Sequence, residues 1–443
     1  MPEIVHLRAP AARAGASART AAVIRRRMAA RPRTDVTVFR AALAVVALAV
    51  LDDAYIQREA GVTAGDHIVS GLVPLALLGL LIAVAGRLPS LLRGWLTVFV
   101  GALAIVGGIS DGVRHILVDR LSGDDVTAVL AGLAGIVLVL HGGATLWRTR
   151  RIGGARLRSV GVGLAVLASA IVIVLPTAIG IIATHKARSP VTAVNLGRPY
   201  ESVGLTTSDG LNLSAWYVPS RNGAAVIAFP GRSQPVRHAK MLIRHGYGVL
   251  LLDRRGEGAS EGDYNAFGWA GEKDLHAAIG FLQRRPDVDP GRIGGLGLSV
   301  GGELLLQTAA HTPALRAVVS EGAGQRSLAE HLDNPDVGTV QRWFTGMLAQ
   351  TAAVAVLSNS TPPNGLADLV PRIAPRPVLL IEARHGNPDE VLNEVYDRAA
   401  GDASELWKVA KGGHTGALAA APAEYERRVV GFFDQALLRS PAE

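Results

Sequence analysis

Between Val126 and Trp147 the chain runs for 22 residues without an Asp, Glu, Lys or Arg. A helix crossing the hydrocarbon core of a bilayer needs about 20 predominantly apolar residues, so this stretch restricts the fold more than any other. Three further uncharged runs come close to that length: Ile68–Gly86, Gly94–Ser110 and Ser159–Thr184. A fifth, Ala41–Leu51, is short. It reaches spanning length as Val36–Tyr55, with Arg40 snorkelling to one surface and Asp52 and Asp53 meeting the other. The apolar excess is confined to the first 190 positions. Over the whole chain 19% of residues are charged and the mean hydropathy is +0.28, against about 25% charged in an average soluble domain.

Arginine placement tests this count, because short cytoplasmic loops collect Lys and Arg. With five spans, sixteen arginines fall on one side: nine from Arg8 to Arg40, then Arg87 and Arg93, then five from Arg148 to Arg158. The opposite side holds Arg58, Arg114, Arg120, Lys186 and Arg188. The expected topology is an N-terminus in the cytoplasm and a C-terminal half outside it, in a multi-pass protein of the cell membrane. The first run reads as a span rather than a cleaved signal, since "LDDAYIQREA" offers no small-residue cleavage site. His141, near the cytoplasmic end of the fourth span, reads as an interfacial residue without an acidic partner. The net charge of +8 follows these topology signals and does not point to nucleic acid. The absence of cysteine excludes disulfides, thiol nucleophiles and cysteine-ligated metals.

Beyond a linker at 185–199 the pattern changes to alternating strand and helix. "ESVGLTT" and "LNLSAWYVP" read as a hairpin across Ser208-Asp209-Gly210. "AAVIAFPG", "GVLLLD", "RIGGLGLS", "ALRAVVSEG", "RPVLLIEA" and "SELWKVA" read as strands, with helical patterns between them. Such alternation implies a mainly parallel sheet covered on both faces. Gly297-Leu298-Ser299-Val300-Gly301 then stands where a strand meets a helix, as a nucleophile elbow requires. A second match, Gly258-Ala259-Ser260-Glu261-Gly262, leads into the loop "EGDYNAFG" and reads as a decoy. The general base that a serine needs is best supplied by His414, in the glycine-rich loop "VAKGGHTG" after the last strand. His238 and His245, in or beside a helix, read as surface residues; His385 could line the site. Asp253, at a strand end, reads as structural.

Taken together, the elbow, "VLLLDRRGEGASEG", "AVIAFPG" and "KGGHTG" resemble the α/β-hydrolase-fold serine hydrolases from about residue 200 to 438. The resemblance implies a mostly parallel sheet with helices on both faces, preceded here by an all-α domain of about five spans. It implies an oxyanion hole from the backbone amides of Val300 and Arg232, with Pro230 standing where the family often has histidine. It also implies an acid after the strand that precedes the histidine strand. Asp389 is the expected acid of the triad, with Glu390 and Glu382 as alternatives and Glu321 as an outlying one; Glu394 reads as a solvated helix residue. An insertion near 322–371, containing "VQRWFTGMLAQTAAVAVLS", occupies the position of the family's lid. The expected organisation is a basic tail (1–35), a membrane domain (36–184), the linker and a hydrolase domain (200–443).

The expected activity is hydrolysis of esters, with thioesters or amides as extensions, through an acyl-enzyme on Ser299. The expected partners are a small or lipid-like acyl substrate and the bilayer, with no nucleic acid, metal or organic cofactor implied. The rival readings are a peptidase or acyltransferase using the same triad, and a non-catalytic binding or sensory module of the same fold.

Overall fold

The computed structural model describes residues 35–113, 123–150, 164–165, 168–186, 194–338, 346–383 and 388–439. The first helix, α1, covers 35–51 and is prolonged by a π turn, Asp52–Ile56. It is followed by α2 (Ile68–Val84), α3 (Ser90–Gly107) and α4 (Gly123–Arg150). A π turn, Ala170–Val174, then leads into α5 (Leu175–Thr184). Helices therefore stand at all five apolar runs. Among the described residues two stretches, Ser90–Ser110 and Val126–Thr149, are long and apolar enough to cross a membrane. Ile68–Val84 and Ala170–Thr184 are shorter apolar helices. Residues 159–163, His385, Gly386 and most of the arginines used for the topology reading lie outside the described residues.

Glycine decides how the two long helices meet. Gly94, Gly101 and Gly108 lie seven residues apart on one side of α3 and its extension, facing Gly142, Gly135 and Gly132 of α4. A Cβ on Gly101 would fall 2.7 Å from the Gly135 carbonyl oxygen, and one on Gly135 would fall 2.6 Å from that of Gly101. A Cβ on Gly142 would fall 2.7 Å from the Gly94 carbonyl oxygen. The two backbones touch along this line, the close approach that small residues permit. Phe39, Leu43, Leu78 and Leu138 fill the bundle interior, yet Leu72, Leu133 and Leu140 are more than half exposed on its outside. These helices are apolar all round, not striped as on a water-soluble bundle. His141 does have an acidic neighbour: its Nε2 lies 4.0 Å from Asp35.

Eight strands follow in one sheet: β1 (Glu201–Thr206), β2 (Asn212–Val218), β3 (Ala225–Phe229), β4 (Gly248–Leu252), β5 (Ile293–Leu298), β6 (Ala317–Glu321), β7 (Val378–Glu382) and β8 (Ser404–Lys408). Their order is β1-β2-β4-β3-β5-β6-β7-β8. The β1–β2 and β2–β4 pairs are antiparallel and all others parallel. From β3 to β7 every strand residue is buried, as continuous aliphatic runs covered by helices on both faces should be. One core, around Ile227, Leu250, Leu304 and Tyr396, fills one face. The other is built on Leu251, Leu296, Tyr425 and Phe433. This is the α/β-hydrolase fold. Its parallel strands end along one edge, the rule for ligand sites in open α/β sheets; Glu321 closes β6, and Ser299, Glu390 and His414 follow the ends of β5, β7 and β8.

The helices of this half are α6 (Val236–Arg244), α7 (Glu272–Gln283), α8 (Val300–His311), α9 (Leu328–Asp333), α10 (Met347–Leu357), α11 (Leu366–Leu369), α12 (Leu392–Ala400), α13 (Ala417–Ala420) and α14 (Pro422–Phe433). The insertion supplies α9 to α11. Its apolar helix α10 packs on the bundle: a Cβ on Gly180 of α5 would lie 2.9 Å from that of Ala353, and Gly346 abuts Pro176. Hydrogen bonds that join the two halves include Asn359 Nδ2 to the Asp66 carbonyl (2.6 Å), the Gly262 amide to Ala60 (2.9 Å) and the Ala266 amide to Ala183 (2.8 Å).

Candidate active site

Ser299 links β5 to α8 with φ 53° and ψ −125°, a conformation costing a non-glycine residue about 1–3 kcal/mol. The glycines on either side hold it. A Cβ on Gly297 would sit 2.4 Å from the Gly301 carbonyl carbon, and one on Gly301 would sit 2.6 Å from the Phe229 oxygen. Any larger residue would drive the turn apart. The Ser299 amide donates to the Glu321 carbonyl at 2.8 Å, fixing the elbow to the neighbouring strand.

His414 reaches the serine from the loop after β8. Its Nε2 is 2.9 Å from Ser299 Oγ, and its Nδ1 is 2.6 Å from Glu390 Oε1. Glu390 is fully buried, and its second oxygen accepts the Ala383 amide at 2.6 Å. A carboxylate at Nδ1 assigns the ring proton to that nitrogen and leaves Nε2 able to accept from the serine hydroxyl. The three side chains thus form one hydrogen-bonded line from a dry carboxylate to an accessible hydroxyl.

The carboxylate at His414 is Glu390, an alternative to Asp389 in the sequence reading. Asp389 and Glu390 are neighbours in the 3₁₀ turn Pro388–Val391, where consecutive residues point in different directions. The turn directs Glu390 to His414 and sends Asp389 to Asn334, whose Nδ2 donates to Oδ1 at 3.1 Å. Burial raises the Asp389 carboxyl above its ordinary range, against the pull of His331 and His414. Glu382 is buried at the end of β7. Glu321, also buried, accepts from the Ala417 amide (2.9 Å) and the Tyr425 hydroxyl (2.8 Å), holding the histidine loop next to the elbow strand. His238 is a second correction. It is buried, 3.4 Å from Glu321 and edge-on to Tyr425, because α6 turns that residue toward the sheet. His245 is at the surface, paired with Glu426 at 2.8 Å, and Glu394 binds Lys408.

The Val300 amide is the first of α8, where helix N–H groups have no intrahelical acceptor. Gly231 packs on the elbow so tightly that a Cβ would lie 2.6 Å from the Leu298 oxygen and 3.2 Å from Ser299 Cβ. The following residue, Arg232, is therefore adjacent to the serine, and neither its amide nor that of Val300 has a protein acceptor among the described residues. Ser260 is fully buried, donating to the Asp253 carbonyl (2.8 Å) and accepting from the Ser214 amide (2.9 Å). Asp253 accepts from Gln234 at 2.6 Å, and burial raises its carboxyl. Both are structural. Sequence reading missed the pair behind the elbow, Glu303 with Arg326 at 3.2 Å, both buried; a glutamate four residues into the elbow helix was its one signal.

The profile of the X-Pro dipeptidyl-peptidase (S15) family matches residues 171–410, a span that contains Ser299 and Glu390 and ends short of His414. The chain belongs to this family. As an S15 protein it is an enzyme, a serine hydrolase by family. Among curated proteins it is similar to the α/β-hydrolase domain-containing protein WAV2 of Arabidopsis thaliana, 34% identical over 26% of this chain and 39% of that one. It is also similar to the polyketide transferase grgF of a Penicillium species, 36% identical over 28% of this chain and 44% of that one. The S15 chain thus spans about two fifths of the length of these relatives. Among solved structures, the esterase Pf2001 of Pyrococcus furiosus covers 57% of this chain and 98% of its own, with 22% identity and a TM-score of 0.46.

Proposed function

We propose that this enzyme is a membrane-anchored serine hydrolase that opens ester bonds through an acyl-enzyme on Ser299. His414 Nε2 takes the Ser299 proton as Oγ adds to the acyl carbonyl. Buried Glu390 stabilises the imidazolium, and the amides of Val300 and Arg232 hold the oxyanion. The tetrahedral adduct collapses, and His414 passes the same proton to the leaving alkoxide. Water then adds to the acyl-enzyme, giving a proton to His414; the acid departs and Ser299 recovers its proton. The observation that carries this reading is the Glu390–His414–Ser299 line of hydrogen bonds, at 2.6 and 2.9 Å.

Anchoring is supported by the two long apolar helices and the exposed leucines around them. The arginine distribution supports an N-terminus in the cytoplasm and a hydrolase domain on the other side of the cell membrane. A second reading, amide cleavage after an X-Pro dipeptide, is favoured by the family match and uses the same chemistry with an amine as the leaving group. Turnover of nitrophenyl esters of increasing chain length, compared with X-Pro anilides on the full-length protein in detergent, separates the two. Ester turnover that Ser299→Ala abolishes supports the proposal, and anilide preference moves it to the peptidase. Folded protein inactive on both would favour a binding module.

A further inference from the structure

Between the bundle and the sheet domain lies a cavity of about 840 Å³, at the upper end of the roughly 300–1,000 Å³ of small-molecule sites. It opens off the bundle core, whose Val46, Leu78 and Ala104 line it, and its lining includes neither Ser299 nor His414. One part of its wall is apolar, formed by Val46, Val50, Leu77, Leu81, Phe99 and Leu103 from α1, α2 and α3. The other part is polar and adjoins the sheet domain, with Asp53, His67, His185 and Asp263. These polar residues are organised in pairs. His67 Nε2 lies 3.8 Å from Asp263, with Nδ1 2.9 Å from Ser70 Oγ; His185 Nε2 lies 3.8 Å from Asp53. The last residues of the lid helix, Leu357 and Ser358, complete the wall.

We infer that this cavity binds a single-chain acyl amphiphile, its tail among the bundle helices and its head at the histidine–aspartate rim. Three features point to that class. The wall divides into apolar and polar parts, as an amphiphile does. Its charged side chains carry both signs, Arg58 and Lys186 against Asp53, Glu59 and Asp263, which suits a head with hydrogen-bonding groups and no net charge over a lone anion. The cavity is also walled mostly by bundle residues. The lid helix α10 begins against Pro176, eight residues before the end of α5, which is about 12 Å along that helix. A tail leaving other tails gains little by itself, since lipid is as apolar as leucine, so the rim determines which molecule stays. The site is also connected to the elbow. Tyr264 lines the cavity, and four residues on, within about 14 Å of chain, Gly268 packs on Val300 and Leu304.

The inference rests on the membrane half of the proposed function and does not need Ser299 to be a nucleophile. Its test is photolabelling of the full-length protein in lipid nanodiscs with a monoacylglycerol carrying a diazirine near the end of its chain. Labels should fall on peptides bearing Val46–Val50, Leu77–Leu81 and Phe99–Leu103, saturate, and persist in Ser299→Ala. Gly107 lines the cavity and a Cβ there meets open space, so Gly107→Phe fills it. That variant should cut labelling about tenfold, the worth of one buried apolar side chain. Gly79→Phe, equally unobstructed but outside the cavity lining, should leave labelling unchanged. If Gly107→Phe does not fold, competition decides: excess unlabelled monoacylglycerol must remove the label, and a fatty acid of the same chain length must do so less well. Unsaturable labelling spread over outward residues such as Leu133 and Leu140, or labelling equal in both glycine variants, overturns the inference.

Discussion

The two halves of this molecule both rely on glycine, for opposite reasons. In the bundle, Gly94, Gly101, Gly135 and Gly142 let two long apolar helices touch backbone to backbone. In the sheet domain hydrophobic burial is ample, and Gly297 and Gly301 instead make room for one strained serine. The bundle uses small residues for stability and the elbow uses them for chemistry. The halves accordingly differ in what a substitution should damage.

The largest expected effect is catalytic. Glu390→Gln should lower kcat about 10⁴-fold, the scale of losing the acid that fixes a catalytic histidine's tautomer, with the melting temperature nearly unchanged. Asp389→Asn should keep kcat within about threefold, since Asp389 accepts from Asn334 and the carboxylate hydrogen-bonded to His414 Nδ1 is Glu390. Equal losses in both variants would break the assignment of the acid. Next comes Gly101→Leu, which drives a branched side chain into the Gly135 carbonyl and should cost the bundle about 3 kcal/mol. Unfolding of the full chain followed by helix signal should show this. If the serine's reactivity fails at the same temperature as the bundle, the halves are one cooperative unit, and the contrast between them weakens.

Ser260→Ala sharpens the contrast within the sheet domain. It leaves the buried Ser214 amide without its acceptor and should cost about 1–3 kcal/mol of stability while leaving kcat within about threefold. The smallest effect is electrostatic. Burial opposes ionisation of Asp209, but bonds from Arg255, Thr207 and Lys273 outweigh it and hold its carboxyl well below the usual range. A depressed folded value stabilises above the unfolded pKa and is lost as the pH falls through the folded one. Asp209→Asn should therefore destabilise at pH 7, by under about 1 kcal/mol after solvent screening. The difference from the parent should shrink below about pH 4. A constant difference at all pH values would mean that packing, not charge, is responsible.

The eight strands were legible because buried parallel strands are continuous aliphatic runs between turn residues, and the elbow because a strand, a serine with glycines two residues to either side and a helix occur together. His414 was legible by its glycine loop. The acid was not, since a choice between adjacent carboxylates depends on the phase of the Pro388–Val391 turn, which composition does not encode. His238 misled for a similar reason: its charge-rich helix hides one face turned to Glu321. The docking of α10 on α5 depends on two distant segments, although the glycines spaced by seven along α3 were visible throughout.

The most direct test of the account is the mass of the full-length protein after reaction with a fluorophosphonate. The account predicts one adduct, on the peptide bearing Ser299, its rate falling in His414→Ala and in Glu390→Gln and unchanged in Asp389→Asn. A folded protein that takes up no adduct, or takes it up on another serine, would contradict it.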